Sequence, residues 1–153
     1  MSLYLEFSDV AKSGIEKAFV RKVINSTLKR SGYNFAAKVI SVSFAVIGCS
    51  EIKKINRTYR HINEATDVLS FPEYKNSKDI ASAGKNVFLG EVVLCYNIIK
   101  VSAEDDGLNL EQELARTISH AILHLLGFKH GKFMFEIQDA AADIYLINYK
   151  RKK

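Results

Sequence analysis

Four stretches of the chain have the hydrophobic patterning of extended strands, either alternating with polar residues or almost continuously apolar. Pro72 stops the third stretch, because proline lacks the amide hydrogen that a strand interior needs. Gly90 lies inside the fourth stretch and indicates a bulge or a close backbone approach. The predicted strands run from Leu3 to Phe7, Val39 to Ile47, Thr66 to Phe71 and Val87 to Tyr96.

Apolar residues at helical spacing occupy most of the chain between and after these strands. Ser13 and Glu16 have the spacing of a capping box, and Asn97 and Asn109 are suited to cap two later helices. The predicted helices run from about Ser13 to Gly32, Cys49 to Arg60, Asn97 to Glu104, Leu110 to Leu126 and Phe135 to Tyr149. Mixed strands and helices without a repeat or linker predict one α+β or α/β domain over residues 1–153.

The segment from Glu73 to Asn86 has no usable periodicity and many small or polar residues. We expect a mobile surface loop there, which is either a functional flap or a tolerated insertion.

Composition narrows the protein class without naming a function. Hydrophobic residues make up 48% and charged residues 25%, as in soluble globular proteins. The net charge of +5 comes largely from a basic tail, Lys150 to Lys153, so that it indicates either a solvated helix end or a nucleic-acid contact. Cys49 and Cys95 are far apart in the sequence and are expected to be reduced, buried thiols. The acidic amino terminus and the lack of a long apolar run predict a cytosolic protein.

The strongest chemical signal is the pattern HxxxHxxGxxH, formed by His120, His124, Gly127 and His130. Histidines four residues apart lie on one face of a helix, where both imidazoles can reach one metal ion. Gly127 can adopt the left-handed conformation that ends the helix and turns the chain back, which brings His130 within reach. Three neutral imidazoles leave a fourth position for water or substrate, as in catalytic zinc sites. Three ordinary helix-end histidines are the alternative, which this spacing disfavours.

Zinc in such a site lowers the pKa of its water to about 7 and polarises carbonyl or phosphoryl oxygens, so hydrolysis is the expected reaction. The spacing matches that of metzincin peptidases except that Ala121 replaces their general-base glutamate. A peptidase would therefore need a carboxylate from elsewhere. Glu113 and Thr117 fall along the histidine side of the helix, where they either orient the imidazoles, with Glu113 also a candidate base, or face solvent.

A second motif, NRTYRHINEATDVLSFP from Asn56 to Pro72, precedes an LGEVV segment and the histidine pattern. In this order the three segments resemble the NxxYRxxDxxTDVLSFP, LGD and HGxLHLxGYDH signatures of the YbeY family of bacterial endoribonucleases. Four positions depart from the family pattern, and none removes a histidine: Asn63 for aspartate, Ala65 for proline, Ala121 for glycine and Lys129 for aspartate. Lys129 replaces an acid beside a ligand, so we expect weaker metal affinity or a changed charge toward substrate.

The resemblance implies an α+β domain with a mixed, mostly parallel four-stranded sheet, about five helices and a metal site in a cleft at the histidine helix. It implies one Zn²⁺ on His120, His124 and His130, although other divalent metals also suit imidazoles. It also implies Arg60 as the functional arginine, so that Arg60 and His124 are the predicted catalytic residues. Arg60 suits a bidentate clamp on a phosphodiester. Asp67 either orients Arg60, acts as a base or is a strand-edge aspartate.

The implied function is zinc-dependent cleavage of single-stranded ribosomal RNA, in maturation of the 16S rRNA 3′ end and in ribosome quality control. The implied partners are this RNA and the small ribosomal subunit with its proteins, and no membrane is involved. Weaker candidates for RNA contact are Arg57, Lys129, Lys150 and Arg151, whereas His61 is not expected to bind metal. The alternative is a non-catalytic, zinc-containing assembly factor that binds RNA or a ribosomal protein through the basic tail.

Overall fold

The predicted strands form one sheet in the computed structural model, which describes the backbone of residues 1–152 and the side chains of residues 1–146. The strands are β1 (Ser2–Asp9), β2 (Val39–Val46), β3 (Val68–Pro72) and β4 (Asn86–Leu94). Their order is β1-β2-β4-β3; β1, β2 and β4 are parallel, and β3 is antiparallel to β4. The prediction of a mixed, mostly parallel four-stranded sheet is therefore confirmed.

Six helices occur within residues 1–152, one more than the sequence predicts. They are α1 (Lys17–Arg30), α2 (Cys49–Arg60), α3 (Ser77–Ser82), α4 (Tyr96–Asp105), α5 (Leu110–Leu125) and α6 (Lys132–Lys152). With the sheet they make a single α+β domain, in agreement with the predicted fold class. In the part of the chain that the structure describes, no helix combines the length and apolar character needed to cross a membrane.

Helix α5 occupies the centre of the domain, where it packs against α1, α4, α6 and strand β3. Its apolar face is buried at Ile118, Ile122 and Leu125, as the helical spacing predicts. The face that carries Glu113, Thr117, His120 and His124 is only half-buried. The core therefore fixes the rotation of α5 about its axis and directs the histidine side outward.

Gly90 lies where β4 packs against β3 and α5, and its backbone conformation requires glycine. The pairing of β2 with β4 shifts register here, and Gly90 has a φ of 138°. A Cβ atom at this position would lie 2.2 Å from the carbonyl oxygen of Phe71 and 3.1 Å from the side chain of Leu125. Both alternatives that the sequence left open, a bulge and a close backbone approach, therefore occur together.

The segment predicted as a loop from Glu73 to Asn86 contains α3, so that prediction is wrong. Asn76 caps α3 by accepting a hydrogen bond from the Asp79 amide at 3.0 Å. Ile80 is buried in the main core, and Tyr74 packs against it. A six-residue helix has too few turns for an apolar period to show in the sequence, and its anchors come from tertiary contact.

Two predicted helix caps are also wrong. Ser13 does not cap α1, because its hydroxyl and amide donate to Asp9 instead, each at 3.0 Å. Burial raises the pKa of Asp9, but the hydrogen bonds from Ser13 and Gly14 outweigh it, so the pKa is lowered. Asn97 lies inside α4, whose N-cap is Cys95.

The two cysteines meet in space. Their Sγ atoms are 3.2 Å apart, and both thiols are free. Cys95 is fully buried, as expected, whereas Cys49 is half-buried at the start of α2. Burial raises the pKa of the Cys95 thiol, which keeps it protonated.

Candidate metal centre

The turn that ends α5 places the third histidine next to the other two. Gly127 adopts a left-handed φ of 85°, as predicted, and its amide donates to the His124 carbonyl at 3.0 Å. The Phe128 amide donates to the Leu123 carbonyl at 3.0 Å, which completes a Schellman motif. Tyr33 then secures the turn, since its hydroxyl donates to the Leu126 carbonyl at 2.7 Å. The chain therefore reverses abruptly and returns His130 to the helix face.

The three imidazoles converge through their Nε2 atoms. The Nε2 of His124 lies 2.9 Å from that of His120 and 3.0 Å from that of His130. One ligand atom from each ring lies within 4.8 Å of the others. Nitrogens bound at 2.0–2.1 Å to one tetrahedral ion are roughly 3.3 Å apart, so this cluster needs only a small adjustment to bind zinc. The residues present therefore fit a divalent metal ion.

Gln138 orients the first histidine from the neighbouring helix α6. Its Oε1 accepts a hydrogen bond from Nδ1 of His120 at 2.9 Å, and its side chain is buried. A proton held on Nδ1 leaves the Nε2 lone pair free for a metal, the arrangement that histidine ligands usually have. This contact was not predicted, because Gln138 lies 18 positions after His120 and belongs to a different helix.

Burial keeps the central histidine in its metal-binding form. The pKa of His124 is lowered by burial first and then by the charges of His120 and His130. A lowered pKa means that the imidazole is neutral at neutral pH, and only the neutral ring offers a lone pair to a metal.

A cleft of about 480 Å³ contains the cluster and is also lined by Asp67 and by Val68, Leu69 and Ser70 of β3. Arg60, at the end of α2, lines this cleft together with the three histidines. Its Nη2 donates to the Ser70 carbonyl at 2.8 Å, and its guanidinium carbon lies 5.0 Å from the centre of the Phe71 ring. The structure thus brings a cation and a candidate metal site into one cavity.

Comparison with known protein families identifies the family to which the sequence is similar. Residues 6–142 match the family described as Endoribonuclease YbeY. The chain belongs to this family. Curated relatives named Endoribonuclease YbeY include one from Sulfurihydrogenibium, 32% identical over 88% of this chain and 87% of its own. Another, from Caldicellulosiruptor bescii, is 42% identical over 58% of this chain and 60% of its own.

A solved structure supports the fold. The solution structure of a Thermotoga maritima protein has a TM-score of 0.65 and 24% identity, and the match covers 97% of this chain and 93% of that chain. At this identity the likeness concerns the fold alone.

Membership of the YbeY family favours an endoribonuclease over the peptidase alternative. Ala121, the position of the metzincin glutamate, is buried with 1% of its surface exposed. Ala121 borders the cleft, but its methyl group is packed against the core and carries no group that could act as a base.

Glu113 and Thr117, predicted to orient the imidazoles, and Asp67, predicted to orient Arg60 or act as a base, all line the cleft but form other hydrogen bonds. Glu113 pairs with Arg116, and the Thr117 hydroxyl donates to the Glu113 carbonyl at 2.9 Å. Asp67 accepts hydrogen bonds at Oδ1 from the Val68 amide and the Thr66 hydroxyl. Among the described side chains, it is Gln138 that hydrogen-bonds to His120, whereas Glu113 and Thr117 bond to partners within α5. Arg60 donates to the Ser70 carbonyl and not to Asp67.

Arg116 is a cleft residue that sequence reasoning missed. It bonds to Asp139 at 3.0 Å as well as to Glu113. Burial lowers its pKa, but the hydrogen bond that it donates to Asp139 and the charges of both acids raise the pKa more, so the pKa is raised overall. Because two carboxylates pair with it, Arg116 is less available to an anion in the cleft than Arg60.

The other predicted residues lie outside the cluster. His61 is exposed at the left-handed end of α2 and lies outside the cluster of His120, His124 and His130. Lys129 is exposed beside His130, and Arg57 is exposed on α2 but does not line the cleft. Lys150 and Arg151 lie outside the described side chains.

Proposed function

We propose that the protein is a zinc-dependent endoribonuclease that cuts single-stranded RNA. We further propose that it acts in the cytoplasm on ribosomal RNA, in maturation of the 16S rRNA 3′ end and in ribosome quality control with the small subunit. One observation carries the catalytic part: three imidazole Nε2 atoms converge in a cleft that also contains Arg60. Membership of a family described as endoribonucleases supports RNA as the substrate.

The histidine side of the cleft would hold the metal. His120, His124 and His130 are its ligands, and Gln138 keeps the His120 lone pair directed at it. When bound, a divalent ion supplies a Lewis acid for a phosphoryl oxygen and lowers the pKa of water toward 7.

The part of the cleft lined by Arg60 would hold the phosphodiester. Arg60 uses one N–H for the Ser70 carbonyl, so its other donors are available to non-bridging phosphate oxygens. A fixed positive charge there stabilises the negative charge that grows on the phosphate in the transition state. Asp67 uses Oδ1 for its two hydrogen bonds, so Oδ2 is available to accept a proton in the cleft.

The test is cleavage of a single-stranded ribosomal RNA fragment by the metal-loaded full chain. His124→Ala removes the central ligand, and His61→Asn is the matched control, because asparagine tolerates the left-handed backbone of that exposed position. We expect cutting by wild type and His61→Asn, and none by His124→Ala or after chelation. A double-stranded version of the same fragment should remain intact.

The bound metal is measured on the same samples. One zinc per chain in wild type, lost in His124→Ala, would support zinc as the native ion. Equal cutting by wild type and His124→Ala would disprove the metal-dependent nuclease. Metal binding and RNA binding without any cutting would favour the non-catalytic assembly factor.

A further inference from the structure

Two exposed aromatic rings lie next to residues that line the cleft, one near His130 and the other near Arg60. Phe135, in the first turn of α6, has 42% of its surface exposed, and its ring centre lies 6.1 Å from that of His130. Tyr59, next to Arg60 on α2, is 63% exposed. Its ring packs edge-on against that of Phe71, with the ring centres 5.5 Å apart. The Arg60 guanidinium lies over the same Phe71 ring.

The core does not require either ring. Phe135 lies between the buried Met134 and the exposed Glu136, and Ile137 provides the next buried contact of α6. The start of α6 is therefore anchored by Met134 and Ile137 while Phe135 remains in solvent beside a candidate metal ligand. An exposed ring beside an arginine or a candidate metal ligand has both the stacking face and the neighbouring positive charge that a nucleotide needs.

We propose that Phe135 and Tyr59 stack with unpaired RNA bases on the two sides of the phosphate that lies in the cleft. The inference rests on the proposed function, because the cleft must first hold RNA. Arg60 and the metal site would engage the phosphate, and the rings would engage the bases next to it. The bases of a duplex are already stacked and paired, so only a single strand can offer both contacts at once. Stacking also tolerates every base, which predicts weak sequence preference.

The test measures binding of a short single-stranded RNA that carries 2-aminopurine beside the target phosphate. Phe135→Leu and Tyr59→Leu keep an apolar side chain but remove the ring. Tyr4→Leu is the matched control, because Tyr4 is 66% exposed on β1, at the opposite edge of the sheet from β3. Binding is measured after chelation, so that cleavage does not consume the RNA, and circular dichroism confirms that each variant is folded.

We expect each of the two ring variants, Phe135→Leu and Tyr59→Leu, to weaken RNA binding by about 5- to 30-fold, the lower part of the range for one stacked base. The quenching of 2-aminopurine on binding should decrease, and Tyr4→Leu should behave as wild type. The salt dependence of binding should stay unchanged in the ring variants, since stacking releases no counterions. An RNA without bases at the flanking positions should bind wild type and Phe135→Leu equally.

Wild-type affinity and quenching in both ring variants would overturn the stacking proposal while leaving the nuclease intact. If the ring variants weaken binding as expected but the loaded wild type cuts no RNA, the stacking surface stands and the proposed catalytic function fails. If wild type binds no RNA after chelation and cuts none when loaded with metal, both fail.

Discussion

The two sides of the cleft are built in different ways. On the histidine side, a buried helix, a Schellman turn and the buried Gln138 position the three ligands through contacts within 3.0 Å. On the arginine side, Arg60 is exposed and is held by one carbonyl and one aromatic face.

This difference matches the two tasks that we assign to the cleft. A metal ion requires fixed ligand distances, so its side must be ordered before the ion binds. A polymer that binds and leaves at each turnover is better served by exposed groups with few fixed contacts. The following predictions separate the two sides.

The largest expected effect comes from Gly90→Ala, which should disrupt both sides at once. The added Cβ would meet the Phe71 carbonyl and the Leu125 side chain, so both β3 and α5 would have to move away from β4. We expect a loss of about 4 kcal/mol or more in the free energy of unfolding, measured by urea denaturation. Gly84→Ala is the control, because its Cβ would meet nothing within 4 Å. Similar stabilities for the two variants would contradict this account.

Arg60→Ala should break the arginine side alone. We expect kcat for RNA cleavage to decrease by about 100-fold or more, as for loss of one transition-state donor, with zinc affinity unchanged. Arg60→Lys should recover only part of the rate, because an ammonium cannot form a bidentate pair. Steady-state kinetics and a zinc titration check both statements, and a parallel loss of zinc would show that the two sides are coupled.

Gln138→Leu should weaken the histidine side alone. Loss of the acceptor for His120 Nδ1 is expected to reduce zinc affinity by about 10- to 100-fold. Gln138→Glu keeps an acceptor and should retain most of the affinity. A competition titration with a zinc chelator measures the effect, and equal affinity in Gln138→Leu would show that His120 needs no orienting partner.

Phe71→Leu gives the smallest effect and sharpens the description of the arginine side. The guanidinium would lose a cation–π contact worth about 0.5–1 kcal/mol at an exposed site. We expect a two- to fivefold decrease in kcat/KM for RNA and no change in metal content. An effect as large as that of Arg60→Ala would mean that Phe71 itself contacts the substrate.

The sequence by itself determined the local parts of the cleft. Histidines four apart on a helix with an apolar opposite face, and a glycine three positions later, specify the ligand triangle within eleven consecutive residues. Helix caps such as Asn109, whose side chain accepts from the Gln112 amide at 2.8 Å, are also local. Such features can be predicted because helical periodicity and capping depend on residues only a few positions apart.

Only the tertiary structure decided which distant residues complete the site. Gln138 reaches His120 because α6 packs beside α5, and Glu113 pairs with Arg116 instead of with a histidine. The anchoring of α3 by Ile80 likewise depends on the core. These contacts depend on how the helices and strands pack, and a local pattern in the sequence carries no information about the partner that packing will supply.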